Sequence, residues 1–155
     1  MKYLPSSNWG RAALGLLAVF GLLQFIPRAP RNAGLSGGPN SIEQQVAVSR
    51  EVMAVLKAAC YDCHSNHTQY PWYSRVQPVA WWLDGHVRDG KETLNFDAFG
   101  GYSSRKRQHK LEAIRDQVEE KEMPLWSYSW MHAGARLTTK ERRLIEEWAR
   151  EQEGK

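Results

Sequence analysis

Cys60-Tyr61-Asp62-Cys63-His64 is the stretch on which the reading of this chain depends. It contains both cysteines of the 155-residue sequence and one of its five histidines. Cys-x-x-Cys-His is the spacing of covalent haem attachment. Each thiol adds to one vinyl group of the macrocycle, so the two sulfurs must lie about one helical turn apart. The next residue, His64, then turns its imidazole to the iron as proximal ligand. The motif therefore calls for one covalent haem c on Cys60 and Cys63. Other readings fit less well. A thioredoxin-like redox pair wants a βαβ unit nearby, and none is legible. A zinc site wants a second cysteine pair, and His64 follows Cys63 too closely for both to ligate one tetrahedral ion. A plain disulfide leaves the histidine unexplained.

Outward from the motif, the charge divides the chain. Residues 1–40 carry Lys2, Arg11, Arg28 and Arg31 and no acidic residue. Removing those four from the 21 basic residues leaves 17 against 17 acidic ones for residues 41–155. A neutral domain lacks the basic face that a nucleic-acid partner needs. Six of the seven tryptophans lie beyond residue 71, a load that suits either the walls of a large flat ligand or an ordinary core.

Residues 12–26 (AALGLLAVFGLLQFI) hold one polar side chain, Gln24. The run is long for a signal-peptide core and short for a spanning helix of about 20 residues. No small-x-small cleavage site follows, so residues 1–27 read as an uncleaved N-terminal membrane anchor in preference to a signal segment. Residues 28–40 (RAPRNAGLSGGPN) read as a flexible linker. Residues 41–155 are the haem-binding domain. Because c-type haem is attached outside the bacterial cytoplasmic membrane, the expected location is that membrane, single-pass, with the domain on the periplasmic side.

No alternating strand pattern stands out, and the domain reads as all-α. Ser41-x-x-Gln44 has capping-box spacing, so one helix is expected from Ser41 to Cys60. Tyr70-Pro71-Trp72-Tyr73 reads as a rigid loop over a haem edge or as plain surface packing. Pro78 opens a second helix carrying Trp81, Trp82 and His86, with Gly90 as its stop. Ser103 or Ser104 caps a third helix reaching Lys121. Residues 125–137 read as an aromatic loop. Thr138-x-x-Glu141 is a second capping box, opening a last helix to Glu151.

The iron's far side needs its own reading. Met123 is the first candidate: it follows a helix, precedes Pro124, and so leaves helical geometry. An unbranched thioether there reaches a haem face, and His/Met ligation favours electron transfer. Met53 and Met131 are weaker candidates. His86 is the rival, as a second imidazole ligand or as a hydrogen-bond partner beside the haem with Trp72, Tyr73 and Trp82. His67 and His132 lie in loops, and His109 sits on a charged helix face.

Several stretches together resemble the haem-binding domain family of bacterial cytochrome c-like proteins. They are Cys60 through Asn66, Pro71-Trp72-Tyr73, Pro78 through Trp82, His86-Val87, Leu94-Asn95-Phe96, Glu122-Met123-Pro124 and Ala135 through Thr138. The resemblance covers nearly all of residues 42–150. It implies a small, all-α, cytochrome c-like fold around a covalent haem, after one N-terminal hydrophobic helix. It also implies haem on Cys60 and Cys63, His64 as proximal ligand and Met123 as distal ligand. The expected function is a membrane-tethered mono-haem electron carrier, not an enzyme, that meets redox partner proteins. The alternatives are a haem sensor or enzyme with an open sixth position, and a haem-bearing subunit of a larger complex.

Overall fold

The computed structural model describes residues 8–154. Among them are eight α-helices: α1 (Asn8–Leu23), α2 (Ile42–Gln45), α3 (Arg50–Ala59), α4 (Tyr61–His64), α5 (Val79–Thr93), α6 (Ser104–Glu119), α7 (Trp126–Met131) and α8 (Thr139–Gln152). No strand forms among the described residues; one isolated antiparallel bridge joins Ala33 and His67. The all-α expectation holds. The chain divides into two compact units, residues 8–31 with 70–86 and residues 32–69 with 87–154, so α5 contributes to both.

In the first unit, α1 covers 16 residues, none of them buried. At 1.5 Å per residue it is about 24 Å long, short of the ~30 Å hydrocarbon layer. Among the described residues no helix is long and apolar enough to cross a membrane. The spanning helix expected over residues 12–26 is corrected to this extent, and the reason is local. Pro27 disfavours helix at Ile26, and Gln24, Phe25 and Ile26 close the end with i→i−3 bonds. The lone polar residue of the run has a role here. The Gln24 amide donates to the Gln77 carbonyl at 3.1 Å and accepts from the Gln77 N–H at 3.0 Å.

The second unit holds the core. Leu56 of α3, Phe96 and Phe99 of a 3-10 turn (Phe96–Gly101), Leu111, Ile114 and Val118 of α6, and Ile145 and Trp148 of α8 bury their side chains together. The single helix expected from Ser41 to Cys60 is two. Val46 is extended, Ser49 accepts from Val52 N–H at 3.2 Å to cap α3, and Ser41 makes no side-chain cap bond. The break has a tertiary partner: the Trp148 indole donates to the Ala47 carbonyl at 2.9 Å.

Three other expectations change in this unit. Residues 32–40 are tied down where a flexible linker was expected. Ser36 Oγ and the Gly37 N–H donate to the Asp97 carboxylate, and Gly100 N–H donates to the Asn40 carbonyl. Residues 125–137 hold α7 and a 3-10 turn (Ala133–Ala135) in place of an irregular loop. The third helix ends at Glu119, because Lys121 adopts the left-handed conformation, φ 63°.

The capping box at α8 forms as the sequence predicts. Thr138 Oγ1 accepts from Glu141 N–H, and Glu141 Oε2 accepts from Thr138 N–H at 2.8 Å. The Thr138 N–H and hydroxyl hold the Glu141 carboxyl below its ordinary value. A depressed folded-state value means that the ionised box stabilises above the ordinary glutamate pKa and fades as pH falls through the depressed one. Thr138→Ala should cost about 1 kcal/mol at neutral pH. In urea titrations the gap between this variant and the parent should narrow below the ordinary glutamate pKa of 4.5.

Candidate functional site

Cys60 is at once the C-cap of α3 and the N-cap of α4. Its φ of −124° and ψ of −36° bend the chain, and its carbonyl accepts from the N–H of Cys63 (3.2 Å) and of His64 (3.0 Å). This one-turn helix sets the spacing that the motif requires. The two thiols are not joined as a disulfide. Burial, then the neighbouring Cys63 sulfur, pushes the Cys60 thiol up to about 12. Burial, then the Asp62 carboxylate, pushes Cys63 up to about 11. Both are therefore neutral thiols in the folded chain.

His64 is oriented by backbone. Its Nδ1 lies 3.0 Å from the Leu94 carbonyl. A carbonyl only accepts, so Nδ1 carries the proton and Nε2 is left with its lone pair. Burial lowers the imidazole's pKa, opposed by the carbonyls of Leu94 and Gly90. The Phe96 ring meets His64 edge-on, with centroids 6.1 Å apart, and stacks on Tyr61 at 4.9 Å. The result is a neutral, aimed imidazole with a free nitrogen donor.

A largely apolar cavity of about 400 Å³ opens beside it, wholly within the second unit. Cys60, His64 and Leu94 form part of its wall, α6 supplies Ile114 and Val118, and Met123 and Pro124 complete it. The segment that delivers Met123 is itself held. Met123 N–H donates to the Gln117 carbonyl, and Arg142 donates to the carbonyls of Val118 (3.0 Å) and Met123 (3.3 Å). Among the described residues no three His, Cys, Asp or Glu side chains cluster as a metal site would need. A lone imidazole and a lone thioether on one apolar cavity, with two free thiols alongside, suit an iron carried in a macrocycle better than a bare ion. On this test the residues fit haem.

The structure thus brings Cys60, His64 and Met123 to one cavity, with Cys63 beside them in α4. Trp72, Tyr73, Trp82 and His86 belong to the first unit. There Trp72 is exposed and sits edge-on to Tyr73, and the Trp82 and His86 rings lie 4.3 Å apart. Of the weaker candidates, Met53 packs against the core and Met131 is exposed. His109 pairs with Glu112 at 3.1 Å, and His132 donates to the Tyr128 carbonyl.

Several residues that sequence reasoning passed over hold the motif in place. Asp97 is buried, and besides Ser36 and Gly37 it accepts from the Asn66 N–H at 2.7 Å. Asn95 donates to the Asn66 side chain at 2.9 Å. Asp62 accepts from the Gln69 N–H at 2.9 Å and from the Tyr128 hydroxyl at 2.7 Å. Gly90 is not the helix stop that was expected, since α5 runs on to Thr93. A Cβ there would meet the Cys63 carbonyl oxygen at 2.7 Å and Cys63 Cβ at 3.1 Å. The glycine lets α5 close on the motif and carry Leu94 to His64. A glycine flanked by helix formers was the one available signal.

A family model described as a haem-binding domain matches residues 18–151. No curated protein and no solved structure matches the chain.

Gly90→Ala should force two backbones apart and cost about 1–3 kcal/mol. The thermal midpoint and the haem retained per protein should both fall. Gly85→Ala, with nothing within 4 Å of the added carbon, should leave both at or above the parent level.

Proposed function

This chain belongs to the haem-binding domain family and is a haem-binding protein, and on that premise we propose that it is a mono-haem, c-type electron-transfer protein with His64 and Met123 as axial ligands. Cys60 and Cys63 would hold the haem by thioether bonds. The observation that carries the reading is the shared cavity: His64, whose Nδ1 is engaged by the Leu94 carbonyl so that Nε2 keeps its lone pair, and Met123 both form part of its wall. Bound there, haem supplies a one-electron couple whose potential sulfur ligation raises.

The chain's own residues do the rest. Leu94 and Phe96 fix the imidazole, so it needs little rearrangement on electron exchange. Ile114 and Val118 exclude water from the cavity. The α6 exit and Arg142 hold the Met123 backbone. The partners are other redox proteins. The apolar segment around α1 provides membrane attachment, and the chemistry of c-type haem attachment places the domain on the outer side of a bacterial cytoplasmic membrane.

Co-expression with a c-type haem maturation system tests the reading. Haem should remain on the polypeptide in a denaturing gel, and Cys60→Ser with Cys63→Ser should abolish that stain. The ferric parent should be low-spin with a weak sulfur-to-iron charge-transfer band, and Met123→Ala should remove the band. A parent without the band that binds added ligands fast would sink the carrier reading in favour of a sensor or enzyme. Conversion to high spin by His86→Ala would make the iron bis-histidine.

A further inference from the structure

Asp62 lies between the two cysteines in sequence, and its carboxylate is also tied to two other segments of the second unit. Its Oδ2 accepts from the Tyr128 hydroxyl at 2.7 Å, while Oδ1 accepts from the Gln69 N–H and the Asp62 carbonyl accepts from Thr68 Oγ1 at 2.6 Å. Tyr128 belongs to α7, which begins three residues after Met123. No residue of α7 is buried, so apolar packing does little to hold this helix. It is instead knit by polar contacts. The Tyr128 ring stacks on His132 with centroids 4.2 Å apart, and His132 Nδ1–H donates to the Tyr128 carbonyl. The Arg136 guanidinium donates to the carbonyls of Ser129 and Trp130, both at 2.8 Å. On its other side, the path back to Met123 passes only through Pro124, which is buried on the cavity, and Leu125.

We propose that the Asp62–Tyr128 hydrogen bond is a latch that holds the methionine-bearing segment closed against the cysteine–histidine motif. Tyr128 and Asp62 are positioning residues for the distal ligand. The bond links the helical turn that carries His64 directly to the segment that carries Met123. At 2.7 Å it is a short hydrogen bond from a hydroxyl to a carboxyl oxygen of a half-buried pair. Releasing it leaves α7 with little burial to restrain it, and the Met123 sulfur competes less well for the iron. The inference rests on the His/Met reading above.

The test is imidazole binding to the ferric, haem-loaded full chain, read from the loss of the sulfur-to-iron band. Tyr128→Phe keeps the ring stack and removes only the hydroxyl. It should tighten imidazole binding by about tenfold or more. Asp62→Asn keeps an acceptor for Gln69 and alters the oxygen facing Tyr128. It should act in the same direction, and combining it with Tyr128→Phe should add little. Glu153→Gln is the control: it weakens the Arg115–Glu153 pair between α6 and the far end of α8 and should leave imidazole affinity at the parent value. If Tyr128→Phe and Asp62→Asn shift only the urea midpoint and bind imidazole as the parent does, the latch is refuted while His/Met ligation stands. A parent that lacks the sulfur-to-iron band refutes the ligation and the latch together.

Discussion

The Leu94 carbonyl decides which nitrogen of His64 bears a proton, and much of the second unit is arranged so that it does. For that oxygen to stand 3.0 Å from Nδ1, α5 must run past Gly90 to Thr93 before the chain turns. For α5 to run there, its backbone must touch the backbone of Cys63, which only a residue without a side chain permits. The turn after Leu94 is then fixed by Asn95 and Asp97, which grip Asn66 just beyond the motif. One tautomer is thus enforced by a chain of contacts running from helix packing to a buried carboxylate. This is how ligand orientation is usually secured around metals, with a backbone carbonyl in the outer position.

The polar and apolar parts of this unit divide the work. Apolar burial along α3, α6 and α8 supplies cohesion. Asp62, Asn66, Asn95 and Asp97 supply position, and all of them act on loops or helix ends. Apolar contact is tolerant of small shifts, whereas a hydrogen bond to a carboxylate is directional. A site that must present thiols and an imidazole at fixed spacing is better held by the second kind of contact.

What the sequence made legible was chemistry with a fixed local spacing. The Thr138–Glu141 box is complete within four residues and forms as read, and Ser103, one of the two serines expected to cap α6, does cap it. What it hid was set by residues far apart. Ser41-x-x-Gln44 looked like a cap as good as Thr138-x-x-Glu141, but the Ala47 carbonyl is engaged by an indole 101 residues away and the helix restarts at Ser49. Residues 28–40 have a linker's composition, yet Asp97 supplies acceptors for Ser36 and Gly37 across about 60 positions. Gly90 carried the sign of a helix end and serves a close contact. The cavity was legible only as three of its residues, Cys60, His64 and Met123, because the α6 side chains that complete it look like any amphipathic face.

The Trp148–Ala47 contact also bears on when this unit can close. A chain emerging from a ribosome N-terminus first presents Ala47 and the cysteine motif long before α8 exists. Until α8 arrives, α6 has no partner for its apolar face and the break before α3 has no indole to satisfy it. Contacts of such wide sequence separation form late, because the intervening chain must first be ordered. Completion of the core therefore waits on α8. Before it, Cys60, Cys63 and His64 lie on an open segment, and afterwards Cys60 and His64 lie on the wall of a cavity.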